Sequence, residues 1–225
     1  MEAGGTTNSD ENARTQADDA ERRSAAIAFV TTEHLTLQGA RTAAITESTN
    51  RATIFIGSVS AGMVALGLVV TATRVGTAFY AFGLILLSTL SFVGFVTFER
   101  TLEAGIQDLQ YVERIAQLRA YYFDFAPELT RYLASVPPSR RLAIHGLGGG
   151  YWQQVFRTVA GMIGVVTAVL TGAAAGLLAT VASGHSAVAG FVTGGVVGVA
   201  VQMALMWYQS SAWGKAHQLR LFEGG

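Results

Sequence analysis

The chain has 225 residues, of which 51% are hydrophobic and only 13% charged, against about 25% charged in an average soluble domain. Its fifteen basic and fifteen acidic residues cancel, so no overall field draws it to a nucleic acid polymer. The absence of cysteine excludes disulfides, thiolate metal ligands and thiol nucleophiles, and high apolarity with little charge makes a lipid bilayer the first expected partner.

Residues 1–23 are polar, acidic and rich in small side chains, which predicts a disordered cytoplasmic tail; they contain no apolar core of a secretory leader. From 24 to 51, Ile27, Val30, His34, Leu37, Arg41, Ala44 and Ser48 recur every three or four residues and predict a cytoplasmic helix. No Gly or Pro separates its end from the next stretch, so one helix is expected to run from solvent into the membrane.

Between Arg51 and Arg74 lie 22 uncharged residues, and between Arg74 and Glu99 another 24. A hydrocarbon layer roughly 30 Å thick needs about 20 apolar helical residues, so each stretch is long enough to span it. The link around Thr71 to Thr77 is short, and residues 52–98 are predicted to form a first transmembrane hairpin.

Residues 99–155 make up the largest expected water-exposed region. Leu102, Ile106, Leu109, Val112, Ile115, Leu118, Tyr122 and Phe125 fall at helical spacing and predict a long amphipathic helix continuing from the second span. Pro127 suits the first turn of a short helix through Leu133, and Pro137-Pro138 ends it. Gly146-Leu147-Gly148-Gly149-Gly150 reads as a joint, because it lacks the Lys-Ser/Thr ending of a phosphate loop.

From Thr158 to Gly214 there is no Asp, Glu, Lys or Arg, and Ala182-Ser183-Gly184-His185-Ser186 divides this stretch in two. Residues 156–208 are therefore predicted as a second transmembrane hairpin, and 209–225 as a cytoplasmic tail. Gly164, Ala168, Gly172 and Gly176 recur every four residues on one helix, as do Gly190, Gly194 and Gly198 on the other. Such ladders let helix backbones approach closely in lipid. Either they only close the hairpin on itself, or they also join the subunits of a homo-oligomer.

The expected fold is thus all-α: a polytopic membrane protein with four transmembrane helices in two hairpins and a long cytoplasmic amphipathic helix between them. Lys and Arg collect in the N-terminal, central and C-terminal regions, with Arg74 alone in the short turns. Retention of positive charge on the cytoplasmic side places both termini in the cytoplasm and the spans in the cell inner (plasma) membrane. Trp152, Trp207 and Trp213 flank the second hairpin where an interfacial belt is expected.

No ionisable residue falls at mid-membrane, which argues against a proton-coupled pump. Thr53, Ser58, Ser60, Ser88, Ser91, Thr167, Thr171 and Thr193 either line a polar path or bond to their own helix backbone. His34, His145, His185 and His217 show no metal-ligand spacing, and no Ser, His and acid grouping stands out. The expectation is a protein without catalytic residues, metal or cofactor. Arg114, Arg119, Arg131, Arg140 and Arg141, interleaved with Tyr111, Tyr121, Tyr122 and Tyr132, form a candidate pocket in which a ring stacks a base and a guanidinium grips a phosphate. The same arginines also fix topology, or lie against anionic headgroups.

The helix carrying Arg41-Thr42-Ala43-Ala44-Ile45-Thr46-Glu47-Ser48-Thr49-Asn50-Arg51-Ala52-Thr53 runs into a short hairpin, and an amphipathic segment follows Phe98-Glu99-Arg100. This arrangement, over about residues 34–135, resembles actinobacterial multi-pass membrane proteins of unassigned activity. More loosely, it is similar to the membrane-spanning effectors of pyrimidine cyclase antiphage systems (Pycsar). The resemblance implies a cytoplasmic region that senses a cyclic nucleotide and spans that then disrupt the inner membrane. The expected function is a non-enzymatic membrane effector of antiphage defence. The alternative is a structural or assembly protein whose protruding cytoplasmic helix docks a partner protein.

Overall fold

The computed structural model describes residues 5–73, 75–125 and 158–223, with side chains described for 14–73, 75–118 and 158–213. They form four helices: α1 (Gly5–Thr73), α2 (Thr77–Phe125), α3 (Val159–Ala182) and α4 (Ala187–Glu223). All three prolines, Pro127, Pro137 and Pro138, lie outside the described residues, so none interrupts these helices. The expected short helix from Pro127 and the glycine joint at 146–150 also lie outside them.

Helix α1 begins at Gly5, within the stretch 1–23. Glu11, Ala13, Arg14, Gln16, Ala17, Ala20, Glu21, Arg22 and Arg23 are good helix formers. Extending an existing helix fixes one residue per new hydrogen bond, whereas starting one fixes several, so these residues join a helix that is already nucleated.

The chain divides into two units, Met1–Ala43 with Leu109–Ala134, and Ala44–Asp108 with Ser135–Gly225. In the first, Ile27, Val30, His34 and Arg41 of α1 are half-buried and Leu37 is buried, while Phe29 and Leu35 between them stay exposed. On α2, Ile115 is buried and Leu109, Val112 and Leu118 half-buried, with Gln110, Arg114 and Gln117 exposed. The apolar period thus decides which side of each helix is covered.

The second unit contains the charge-free stretches. Its core is a cluster that includes Ala52 and Phe55 of α1, Leu87, Leu90, Phe98 and Leu102 of α2, Ile163 and Leu170 of α3, and Leu205 of α4. The outer faces are as apolar as the core. Phe191 is 83% exposed, Val188 74%, Ile85 70% and Phe92 69%. Water does not tolerate a continuous apolar surface of this extent, and hydrocarbon does. Four helices, within Arg14–Thr73, Thr77–Leu118, Val159–Ala182 and Ala187–Trp213, are long and apolar enough to cross a membrane, and they mark a multi-pass membrane protein.

The helix ends follow local chemistry. Thr158 caps α3 by accepting the Gly161 N–H at 3.0 Å, with its backbone extended (φ −82°, ψ 151°). At the other end Gly184 takes a φ of +67°, and the His185 N–H donates to the Thr180 carbonyl at 2.8 Å. This is a Schellman closure, in which the glycine supplies the left-handed residue that a helix end needs. Ser186 then starts α4, its hydroxyl accepting the Ala189 N–H at 3.4 Å.

Candidate functional site

Three features of the membrane unit have geometry specific enough to act: the glycine seam between α3 and α4, the buried polar groups within the helices, and the charges at the ends of the spans.

A Cβ placed on Gly172 would lie 2.6 Å from the Gly194 carbonyl oxygen and 3.1 Å from Gly198 Cα. On Gly176 it would lie 2.8 Å from the Gly190 oxygen, and on Gly194 2.8 Å from the Gly172 oxygen. The two backbones therefore touch, and only glycine fits there. Gly198 approaches the Ala168 carbonyl, with 3.3 Å for its added Cβ. Gly164 differs from the rest of its ladder, because it faces the Phe98 ring of α2 and Leu205 of α4. On the first span Gly57 has nothing within 4 Å, and Gly62 meets Leu90 and Leu86 of α2 instead. Four-residue spacing alone did not single out Gly62.

Most hydroxyls turn to their own helix. Thr53, Ser58, Ser60, Thr167 and Thr171 each donate to the carbonyl four residues back, at 2.8 to 3.0 Å. A hydroxyl engaged in this way presents an apolar methyl or methylene outward. Thr167, fully buried, lies over Gly94, where a Cβ would collide with its hydroxyl oxygen. Ser91 Oγ and Gln202 Oε1 are buried without a hydrogen-bond partner among the described residues.

A side-chain bond joins the N-cap of α3 to α4 directly. Gln209, 2% exposed, donates from Nε2 to Thr158 Oγ1 at 3.0 Å. The same oxygen caps α3, so it accepts from both a backbone and a side-chain N–H. The sequence reading missed Gln209 and Gln202, although a glutamine within or beside an apolar span is a legible signal that a partner is needed.

Charge begins where the spans end. Arg51 donates from Nε to Glu47 at 3.1 Å, and Arg100 meets Glu103 at 3.3 Å, both pairs largely exposed. Of the candidate ligand residues, Arg114 is exposed on α2. Arg119, Tyr121 and Tyr122 lie on the last turns of α2, where only the backbone is described, and Arg131, Arg140 and Arg141 lie outside the described residues. Among the described residues, no group of three or more His, Asp or Glu side chains is placed to hold a metal ion.

Compared with known protein families, with curated proteins and with solved structures, the chain matches none. Its function is therefore read from its own chemistry. Apolar outer faces, a close-packed glycine seam and self-bonded hydroxyls suit the spans to insertion and packing in lipid.

Proposed function

We propose that this chain is a non-enzymatic inner-membrane effector, with four spans in two hairpins and both termini in the cytoplasm. In this reading a cytoplasmic region around Arg114, Arg119, Tyr121, Tyr122, Arg131, Arg140 and Arg141 takes a small cyclic nucleotide, and the spans respond by perturbing the membrane. The observation that carries it is the set of four apolar helices with outward apolar faces, next to a region where guanidinium groups and aromatic rings alternate. A guanidinium fork pairs with a phosphate, and an adjacent aromatic ring stacks a base.

Three experiments test this. Tags at Arg74 and His185 should label from outside intact cells, while tags at either terminus should not; the reverse pattern would overturn the topology. Membrane potential should collapse when the chain is expressed with a nucleotide cyclase, and should hold with the chain alone or with a cyclase-dead partner. Arg114→Ala combined with Arg131→Ala should weaken cyclic-nucleotide binding at least tenfold without changing membrane insertion.

The alternative, docking of a partner protein on the stripe from Leu102 to Phe125, has less support. Leu102 is 3% exposed and Ile115 8%, so the chain itself covers both. Assembly as a homo-oligomer, if it occurs, has to use faces other than Gly172, Gly176 and Gly194, whose close approaches lie within the chain.

A further inference from the structure

Two short intervals, between Thr73 and Thr77 and between Ala182 and Ala187, separate α1 from α2 and α3 from α4. They belong to the same unit of the chain. The ring of Tyr80, one turn into α2, meets the ring of His185 edge to face, with centroids 5.4 Å apart and planes at 72°. Tyr80 is itself fixed by its N–H bond to the Gly76 carbonyl at 3.2 Å, and its ring meets that of Phe79 at 5.5 Å.

His185 reaches this contact with a φ of +73°, and among the described residues it is the one non-glycine residue with a positive φ. A left-handed backbone is unfavourable for an L-residue and persists only where the surroundings hold it. Local chemistry supplies part of that hold, through the Thr180 carbonyl and the left-handed Gly184 before it. His185 is otherwise exposed, and the group that meets its ring comes from a distant part of the sequence, Tyr80. Glycine would satisfy the backbone at 185 more easily, but it has no ring to reach α2.

We propose that Tyr80 and His185 form a strap, tying the α3–α4 turn to the first turn of α2. Relative movement of the two helix pairs is then confined to their opposite ends. The strap does not depend on the effector reading, because it is present in the resting protein and is tested there.

Amide hydrogen exchange of the full chain in lipid nanodiscs decides the matter. An aromatic pair of this kind corresponds to about three- to tenfold in local opening. Tyr80→Ala should therefore speed exchange at residues 183–187 by that factor, although the substitution lies on another helix. Tyr80→Phe keeps the ring and should leave exchange there unchanged. His185→Gly keeps the turn but removes the imidazole, and should speed exchange at residues 80–83 of α2. Unchanged exchange at 183–187 in Tyr80→Ala, or at 80–83 in His185→Gly, would overturn the strap, and so would Tyr80→Phe behaving like Tyr80→Ala.

Discussion

At the scale of single residues, the glycines named next fall into three groups. Gly172, Gly176 and Gly194 let two helix backbones touch; Gly184 supplies a left-handed turn; Gly57 and Gly195 have nothing within 4 Å and do neither. Substitution should separate them. Gly172→Ala or Gly194→Ala puts a methyl group against a carbonyl of the neighbouring helix, which cannot yield without moving, and should lose about 1–3 kcal/mol. Gly57→Ala and Gly195→Ala should be neutral or gain about 0.5–1 kcal/mol, since alanine has less freedom to lose in a helix. Gly184→Ala meets no atom but keeps φ at +67°, and should lose about 1–2 kcal/mol from conformation alone. Unfolding of each variant in detergent, compared with the parent chain, gives the order.

At the scale of helices, each pairing rests on a different device. Between α3 and α4 the backbones themselves meet, and a polar clamp, Gln209 to Thr158, secures one end. Gln209 is 2% exposed, so its amide has little access to water as an alternative partner, although measured interhelical bonds of this kind average only about 0.6 kcal/mol. A double-mutant cycle with Thr158→Val and Gln209→Leu should give a coupling of about 0.5–1.5 kcal/mol. A coupling near zero would mean that Gln209 is held by packing and not by its bond. Between α1 and α2, by contrast, side chains seat over small residues: Leu90 over Gly62, and the Phe55 ring over Gly94.

The seven α1 positions picked out by spacing alone, Ile27, Val30, His34, Leu37, Arg41, Ala44 and Ser48, are all buried or half-buried. Their separations alternate between three and four, the repeat that keeps one seam of a helix facing a neighbour. Sequence was informative here because the period belongs to one helix and needs no knowledge of its partner. The ligand-site residues could not be read with the same security, since a pocket depends on which side chains converge, and spacing does not report that.

For the molecule as a whole, hydropathy outweighs every local preference. The exposed apolar surface of α1 and α4 is the largest single demand the protein makes of its surroundings, and lipid meets it. The chain should sediment with membranes, resist extraction by high salt and alkaline carbonate, and enter solution only with detergent. Recovery in the carbonate supernatant would contradict the reading of four membrane-crossing helices.

The sequence by itself determined that the protein is helical and that four stretches suit a bilayer. Both properties come from runs of residues that act independently, through backbone hydrogen bonds within each helix and transfer of each side chain into lipid. Only the tertiary structure decided that Gly62 faces α2 while Gly57 faces outward, that Gln209 reaches Thr158, and that Tyr80 meets His185. Those depend on the rotation and register of one helix against another, set by the combined fit of many side chains, and no repeat within a single segment encodes them.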